Sequence, residues 1–157
     1  MPDRALDVLL HAQIELRHLH GQDELAACFP VISELRPAIK NVDEWVARAS
    51  DMQVDGYRIL GAWINGTVLA MAGYRTTENL ALGRFVHVDD LVTLSSHRNK
   101  GLGSALLIEL SRIGSEEWCR HLALENTATH ANAGEFFQRK GLVDTAVCFV
   151  KTLEEIR

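Results

Sequence analysis

The sequence predicts a mixed α/β fold in which helices pack on a central, mostly antiparallel sheet. Three observations predict it. Two apolar runs, Tyr57–Ile64 and Thr67–Tyr74, are joined by Asn65-Gly66, the dipeptide favoured in type I′ hairpin turns. A third strand-like run, Phe85–Leu94, follows, so the middle of the chain reads as an antiparallel meander. From Gly103 to Trp118 the apolar period then becomes helical, with Leu106, Leu107, Leu110 and Ile113 on one face.

The remaining elements follow in order. Residues 1–13 (MPDRALDVLLHAQ) read as a short amphipathic helix ahead of the domain, without a clear cap. Ile14–Leu19 alternates apolar and polar, the period of a half-buried strand. Over residues 22–35, Leu25, Ala26, Phe29, Ile32 and Leu35 recur at helical spacing, and Pro30 is expected to interrupt or bend that helix. A second helix starts near Val42, with Asn41 as its cap and Trp45, Val46 and Ala49 on one face. Beyond the 103–118 helix, His121–Leu124 is a short strand, Asn132–Lys140 a helix closed by Gly141, and Val143–Leu153 a final strand. The order β, α, α, β, β, β, α, β, α, β contains no repeat, low-complexity run or linker, and residues 1–157 read as a single domain.

Composition narrows the function classes. A chain of 157 residues with 47% hydrophobic and 24% charged residues is ordinary globular material. Its net charge of −5 would repel a polyanion, which argues against nucleic acid as a partner and requires any anionic ligand to be held locally. No window approaches the ~20 apolar residues of a membrane span, and the N-terminus lacks an export-signal pattern, so a cytoplasmic protein is expected. Cys28, Cys119 and Cys148 lack CxxC spacing and lie in apolar stretches, which suits reduced core thiols. Asn65-Gly66-Thr67 matches a glycosylation sequon but reads as turn chemistry. No metal is expected: the seven histidines form no HExxH or Cys/His ligand pattern, and His18 and His20 read as an exposed pair on one strand face.

One segment carries chemistry. After the 85–94 strand the chain runs through Arg98, Asn99, Lys100, Gly101, Leu102, Gly103 and Ser104 into a helix. Two glycines one residue apart at a strand-to-helix turn let the backbone approach a ligand and aim N–H groups at it. A helix N-terminus then favours phosphate, and Arg98 and Lys100 add two cations in an acidic protein. The combination predicts a pyrophosphate site. A Walker A string is absent, and a dinucleotide fingerprint fails because its third glycine would fall at Leu106.

The stretch Arg98-Asn99-Lys100-Gly101-Leu102-Gly103 resembles the acetyl-CoA signature [RQ]-x-x-G-x-[GA] of the GNAT superfamily of N-acetyltransferases at every fixed position. A second motif of that superfamily, A-x-x-F-Y-x-x-x-G-[FL], stands here as Ala133-Gly134-Glu135-Phe136-Phe137-Gln138-Arg139-Lys140-Gly141-Leu142. The order of elements agrees over about residues 14–153. The resemblance implies fourth and fifth strands that splay apart, with the pantetheine arm of acetyl-CoA hydrogen-bonded to the backbone of Leu91, Val92 and Thr93 and its pyrophosphate on the amides from Arg98 to Ser104. It also implies coenzyme contacts from Phe136 and Phe137, and from His130 or Asn132 in place of an asparagine common in the family. For His130 and Asn132 a capping role is an alternative.

In that superfamily a substrate amine attacks the thioester directly, and a base on the fourth strand takes its proton. The position used by histone-type members, eleven residues before Arg98, is His87. A histidine with an unperturbed pKa near 6.5 suits neutral pH. Asp89 shares its strand face, whereas Asp90 points the other way unless a bulge intervenes. Three readings stay open at this stage: His87 as base, Asp89 or Asp90 as base, or no side-chain base. Phe137 stands where the family often has a tyrosine that protonates the departing thiolate, so an N-acetyltransferase acting on an amine has as its alternative a catalytically inactive acyl-CoA-binding regulatory module. Residues 14–80 would shape the acceptor pocket. Homodimers are common in the superfamily, and no feature of this sequence decides for one.

Overall fold

Asn65 and Gly66 take φ of 51° and 76°, the left-handed pair of a type I′ turn, and close the hairpin that organises the sheet. The computed structural model describes residues 13–125 and 133–153, as one unit ending at Leu124 and a second beginning at Glu125. Except for Gln13, the amphipathic stretch expected over residues 1–13 lies outside the described residues.

The first unit holds five strands, β1 (Glu15–His18), β2 (Arg58–Ile64), β3 (Thr67–Asn79), β4 (Gly83–Thr93) and β5 (His121–Leu124), in the spatial order β1-β2-β3-β4-β5. The first three pairings are antiparallel and β4 pairs with β5 in parallel. Helices α1 (Gly21–Leu35) and α2 (Val42–Val54) follow β1, and α3 (Leu102–Glu116) lies between β4 and β5. Each sheet face carries its own core. On one, Ile59, Met71 and Val92 pack with Leu25, Val31 and Ile32 of α1 and Trp45 of α2. On the other, Leu60, Ala72 and Val86 pack with Leu106, Leu110 and Ile113 of α3. Side chains buried this fully each contribute roughly 1.5–3 kcal/mol of hydrophobic stabilisation.

Local chemistry explains the helix ends. Asn41 Oδ1 accepts from the Glu44 amide at 2.9 Å, and Glu44 returns a carboxylate oxygen to the Lys40 amide at 2.9 Å. Of the two outcomes expected at Pro30, interruption does not occur: α1 runs from Gly21 to Leu35. A proline removes one helical hydrogen bond. Cys28, Val31 and Ile32, all buried on either side of it, hold both halves of the helix against the sheet.

A polar network ties β1, β2 and β3 to the end of α3. His18 Nε2 lies 2.6 Å from Tyr74 Oη, and the Arg58 guanidinium sits 4.7 Å from the Tyr74 ring centroid while donating to both Glu117 oxygens at 2.8 and 2.7 Å. Burial first, then the charges of Arg58 and His20, hold the His18 pKa below its ordinary value against the weaker opposing pull of Glu109 and Glu117. Burial also pushes the Tyr74 hydroxyl up to about 12. Because the folded state binds the His18 proton less well than the unfolded chain, the neutral imidazole contributes stability fully above about pH 6.5 that is lost as the pH falls through the lowered value. The melting temperature is therefore expected to drop between pH 7 and pH 5 more steeply in the parent than in His18→Gln. Equal slopes in the two melting series would assign the acid sensitivity to another group.

The second unit contains α4 (Ala133–Arg139). Gly141 closes it: its amide donates to Gln138 O and the Leu142 amide donates to Phe137 O, both at 3.1 Å, the paired bonds of a Schellman motif. The final strand expected over Val143–Leu153 is not formed. An apolar segment becomes a strand only when a ladder accepts its backbone hydrogen bonds, and this unit has no other strand among its described residues. Val147, Phe149 and Val150 are accordingly exposed, and Cys148 among them is not a core thiol. Cys28 is one, with its thiol pushed up to about 12 by burial.

Candidate active site

The site begins with an irregularity in β4. Tyr74 of β3 faces Val88, but its neighbour Gly73 faces Asp90, so Asp89 has no partner across the ladder. Such a bulge reverses the faces of everything after it. Before it, Val86 and Val88 point to the α3 side; after it, Val92 lies in the α1–α2 core and Leu91 packs on the α3 side. His87 and Asp89, which alternate with Val86 and Val88, thus share the α1–α2 side with Asp90. The two carboxylates that simple alternation would separate come to one cleft.

Each is held differently. Asp90, whose side chain is 11% exposed, accepts from Tyr57 Oη at 2.7 Å and from Arg36 Nε at 2.8 Å. Arg36 also donates to the main-chain oxygen of Asp89 at 3.0 Å. Asp89 accepts from His87 Nδ1 at 2.8 Å on one oxygen and from Arg75 Nε at 2.9 Å on the other. A ring nitrogen this close to a carboxylate carries the proton, so a neutral His87 presents its lone pair at Nε2. Burial, followed by the nearby Asp90 charge, raises the Tyr57 hydroxyl well above its usual value, and Tyr57 therefore stays a donor.

Gly73 makes room for this arrangement. A Cβ there would lie 1.8 Å from Tyr57 Oη and 2.5 Å from its Cζ. Gly73→Ala is expected to push the phenol off Asp90 and to destabilise the protein by about 1–3 kcal/mol, as overpacking does. Thermal melts test this, and an unchanged midpoint would show that the ring moves aside freely.

Tyr57, Asp89 and Asp90 border a cleft of about 570 Å³ whose apolar side includes Ile39, Trp45 and Met52 and whose polar side includes Arg36, Arg48 and Arg75; His87 lies behind Asp89 and does not line it. Beyond the bulge, the β4 edge away from β3 is open: β5 pairs with β4 only from Phe85 to Val88, leaving Leu91, Val92 and Thr93 without a partner there among the described residues. Their side chains serve the core or are half-buried, so an incoming group would meet backbone.

A short turn leads from this edge to α3. Glu34 of α1 accepts from the Ser95 amide at 2.8 Å and from Ser95 Oγ at 2.7 Å, which fixes the start of the loop. Asn99 and Gly101 both take left-handed backbone, with φ of 62° and 81°. Gly101 is the N-cap of α3 and supplies no side-chain cap. The Ala105 amide makes the first helical bond, to Gly101 O at 3.0 Å, so the amides of Leu102, Gly103 and Ser104 have no acceptor within the helix. Arg98 and Asn99 are exposed and Lys100 half-exposed, while Leu102 is buried and anchors the turn. The amides and two cations fit a pyrophosphate in charge and in hydrogen bonding.

The remaining expected residues divide. Phe136 and Phe137 lie half-buried on α4 in the second unit, with ring centroids 5.6 Å apart. His130 and Asn132 lie outside the described residues. Reasoning from sequence missed Arg36, Tyr57 and Arg75, which hold the aspartates. One available signal was Gly73, a residue without a side chain in the middle of a strand run and two positions before Arg75. No group of three or more His, Cys, Asp or Glu that could hold a metal is present among the described residues. No helix among them is long and apolar enough to cross a membrane.

A sequence model of the acetyltransferase (GNAT) family matches residues 21–142, and the chain belongs to that family. It is an acyltransferase by that membership. An uncharacterized N-acetyltransferase of Bacillus subtilis (strain 168), YhdJ, is 27% identical over 112 residues, covering 71% of this chain and 75% of that protein. Among solved structures, the aminoglycoside N-acetyltransferase AAC(6')-Iy in complex with CoA superposes with a TM-score of 0.77 at 19% identity, over 88% of this chain and 94% of that one. The ribosomal-protein-alanine N-acetyltransferase from Brucella melitensis biovar Abortus 2308 does so with a TM-score of 0.76 at 18% identity, over 89% and 99%. At such identities the structures are similar in fold.

Proposed function

We propose that the chain transfers the acetyl group of acetyl-CoA directly to a primary amine. The observation that carries this reading is the continuity of the open β4 edge at Leu91–Thr93 with the uncapped amides of Leu102–Ser104. An extended arm bearing amides at one end and a pyrophosphate at the other matches both features. CoA bound to the aminoglycoside enzyme of similar fold supports the choice of donor.

In this reading the arm hydrogen-bonds along β4 and brings its thioester to the bulge. The acceptor amine approaches from the cleft, and its nitrogen attacks the thioester carbonyl carbon. The carbon–sulfur bond breaks, CoA leaves as the thiolate, and the proton released by the amine passes to His87 Nε2, directly or through one water. Asp89 fixes the His87 tautomer and stabilises the imidazolium that forms. Asp90 is the poorer base because both of its oxygens already accept hydrogen bonds. Its work is to hold Arg36 and Tyr57 against the bulge.

The test is calorimetry with acetyl-CoA together with CoA release in a panel of amines. Arg98→Ala is expected to weaken acetyl-CoA binding roughly 10- to 150-fold, the loss of one charge-assisted phosphate contact, without lowering the melting temperature. Unchanged affinity would leave Arg98 a solvated loop residue. No acetyl-CoA binding by the parent would overturn the reading as a whole.

A further inference from the structure

The acceptor cleft is lined by three arginines and two aspartates, an unusual balance for a site that must receive an amine. Each aspartate is already neutralised: Asp90 by Arg36 and Asp89 by Arg75. The guanidinium groups are not used up. A guanidinium carries five N–H donors. Arg75 spends Nε on Asp89, and Arg36 spends Nε and Nη2 on the two aspartates; their other nitrogens have no hydrogen-bond partner among the described residues. Arg48 Nη1 is 3.7 Å from Glu44, a loose contact on a side chain that is 61% exposed. The opposite side, with Ile39, Trp45 and Met52, is apolar.

We infer that the acceptor is a small α-amino carboxylate with an apolar side chain, recognised through its carboxylate by Arg75 and Arg48. This rests on the acetyltransferase reading above and names the substrate class of the same site. The placement of Arg75 carries it. Arg75 faces His87 across the β3–β4 ladder, and the two side chains bond to the two oxygens of one carboxylate, Asp89, at 2.9 and 2.8 Å. An anion on the remaining Arg75 donors therefore lies beside the imidazole that takes the amine proton. An acceptor whose carboxylate and amine lie close together, as in an α-amino acid, satisfies both groups. The apolar wall then receives its side chain.

Electrostatics points the same way. With Arg36 and Arg75 each paired to an aspartate, the lining keeps one further cation, Arg48, which favours an anion beside it. It also opposes a second ammonium, so a polyamine or a polycationic sugar meets like charge where an amino acid meets its counter-ion.

The experiment measures CoA release by the full chain with L-phenylalanine, L-phenylalaninamide, spermidine and kanamycin, after acetyl-CoA binding has been established by calorimetry. The expected result is a kcat/KM for L-phenylalanine at least ten-fold above each of the others. Arg48→Gln is expected to raise KM for L-phenylalanine about five-fold or more with little change in kcat, and to leave the amide unaffected. Turnover of the amide, spermidine or kanamycin as fast as the amino acid would overturn the inference and leave N-acetyl transfer standing. Binding of acetyl-CoA with no turnover of L-phenylalanine would overturn it as well. Absence of acetyl-CoA binding is the separate failure of the underlying reading.

Discussion

Replacing His87 by alanine is expected to lower kcat at pH 7 by about 10²–10⁴-fold, the usual contribution of a positioned base, while acetyl-CoA binding is unchanged. The expectation follows from the bulge at Asp89. It brings Asp90 to the side of the sheet that His87 and Asp89 already face, and the imidazole is bonded to Asp89 through Nδ1, with Nε2 available. The loss should shrink as the pH rises toward the pKa of the free acceptor amine, because an amine already deprotonated in solution needs no base. A merely structural role for His87 would give a loss independent of pH. Full activity in His87→Ala, with activity abolished in a folded Asp90→Asn, would move the base to Asp90 in spite of its two occupied oxygens.

Gly103→Glu is expected to abolish acetyl-CoA binding without unfolding the protein. The substitution places a carboxylate at the second position of α3, among the amides of Leu102, Gly103 and Ser104 that no capping side chain satisfies. A carboxylate there is favourable for the helix itself, since negative charge at an N-terminus complements the macrodipole by about 0.3–1 kcal/mol. The same charge repels and displaces a pyrophosphate. The variant should therefore melt no lower than the parent and show no thermal shift with acetyl-CoA. A full shift would remove this turn from the coenzyme site.

The elements readable in the sequence are those whose signal is local. Asn65-Gly66 defines its turn because two successive left-handed residues are available cheaply only to such a pair. Asn41 and Gly141 mark helix ends through hydrogen bonds to residues within one turn. The face of α3 is visible because Leu106, Leu110 and Ile113 repeat at the helical period. Pro30 does not end α1 for the complementary reason: its local penalty is real, and the burial of Cys28, Val31 and Ile32 against a sheet distant in sequence outweighs it. Val143–Leu153 misled through its β-branched and aromatic residues, which record a preference for a ladder but supply none.

The candidate site divides along the same line. The glycine turn, its two cations and the three side chains from which a base could come were legible in the sequence because all lie in β4 and the segment that follows it, and the family was legible from that segment together with residues 133–142. That Asp89 and Asp90 both border the cleft, with His87 bonded to Asp89, depends on tertiary contacts. Gly73, at the register shift on the neighbouring strand, leaves room for the Tyr57 phenol, and Tyr57 and Arg36, brought from other elements, hold Asp90. A one-residue slip in a strand reverses every side chain beyond it, and the energy that selects it comes from contacts between residues far apart in the chain, where no local pattern records it.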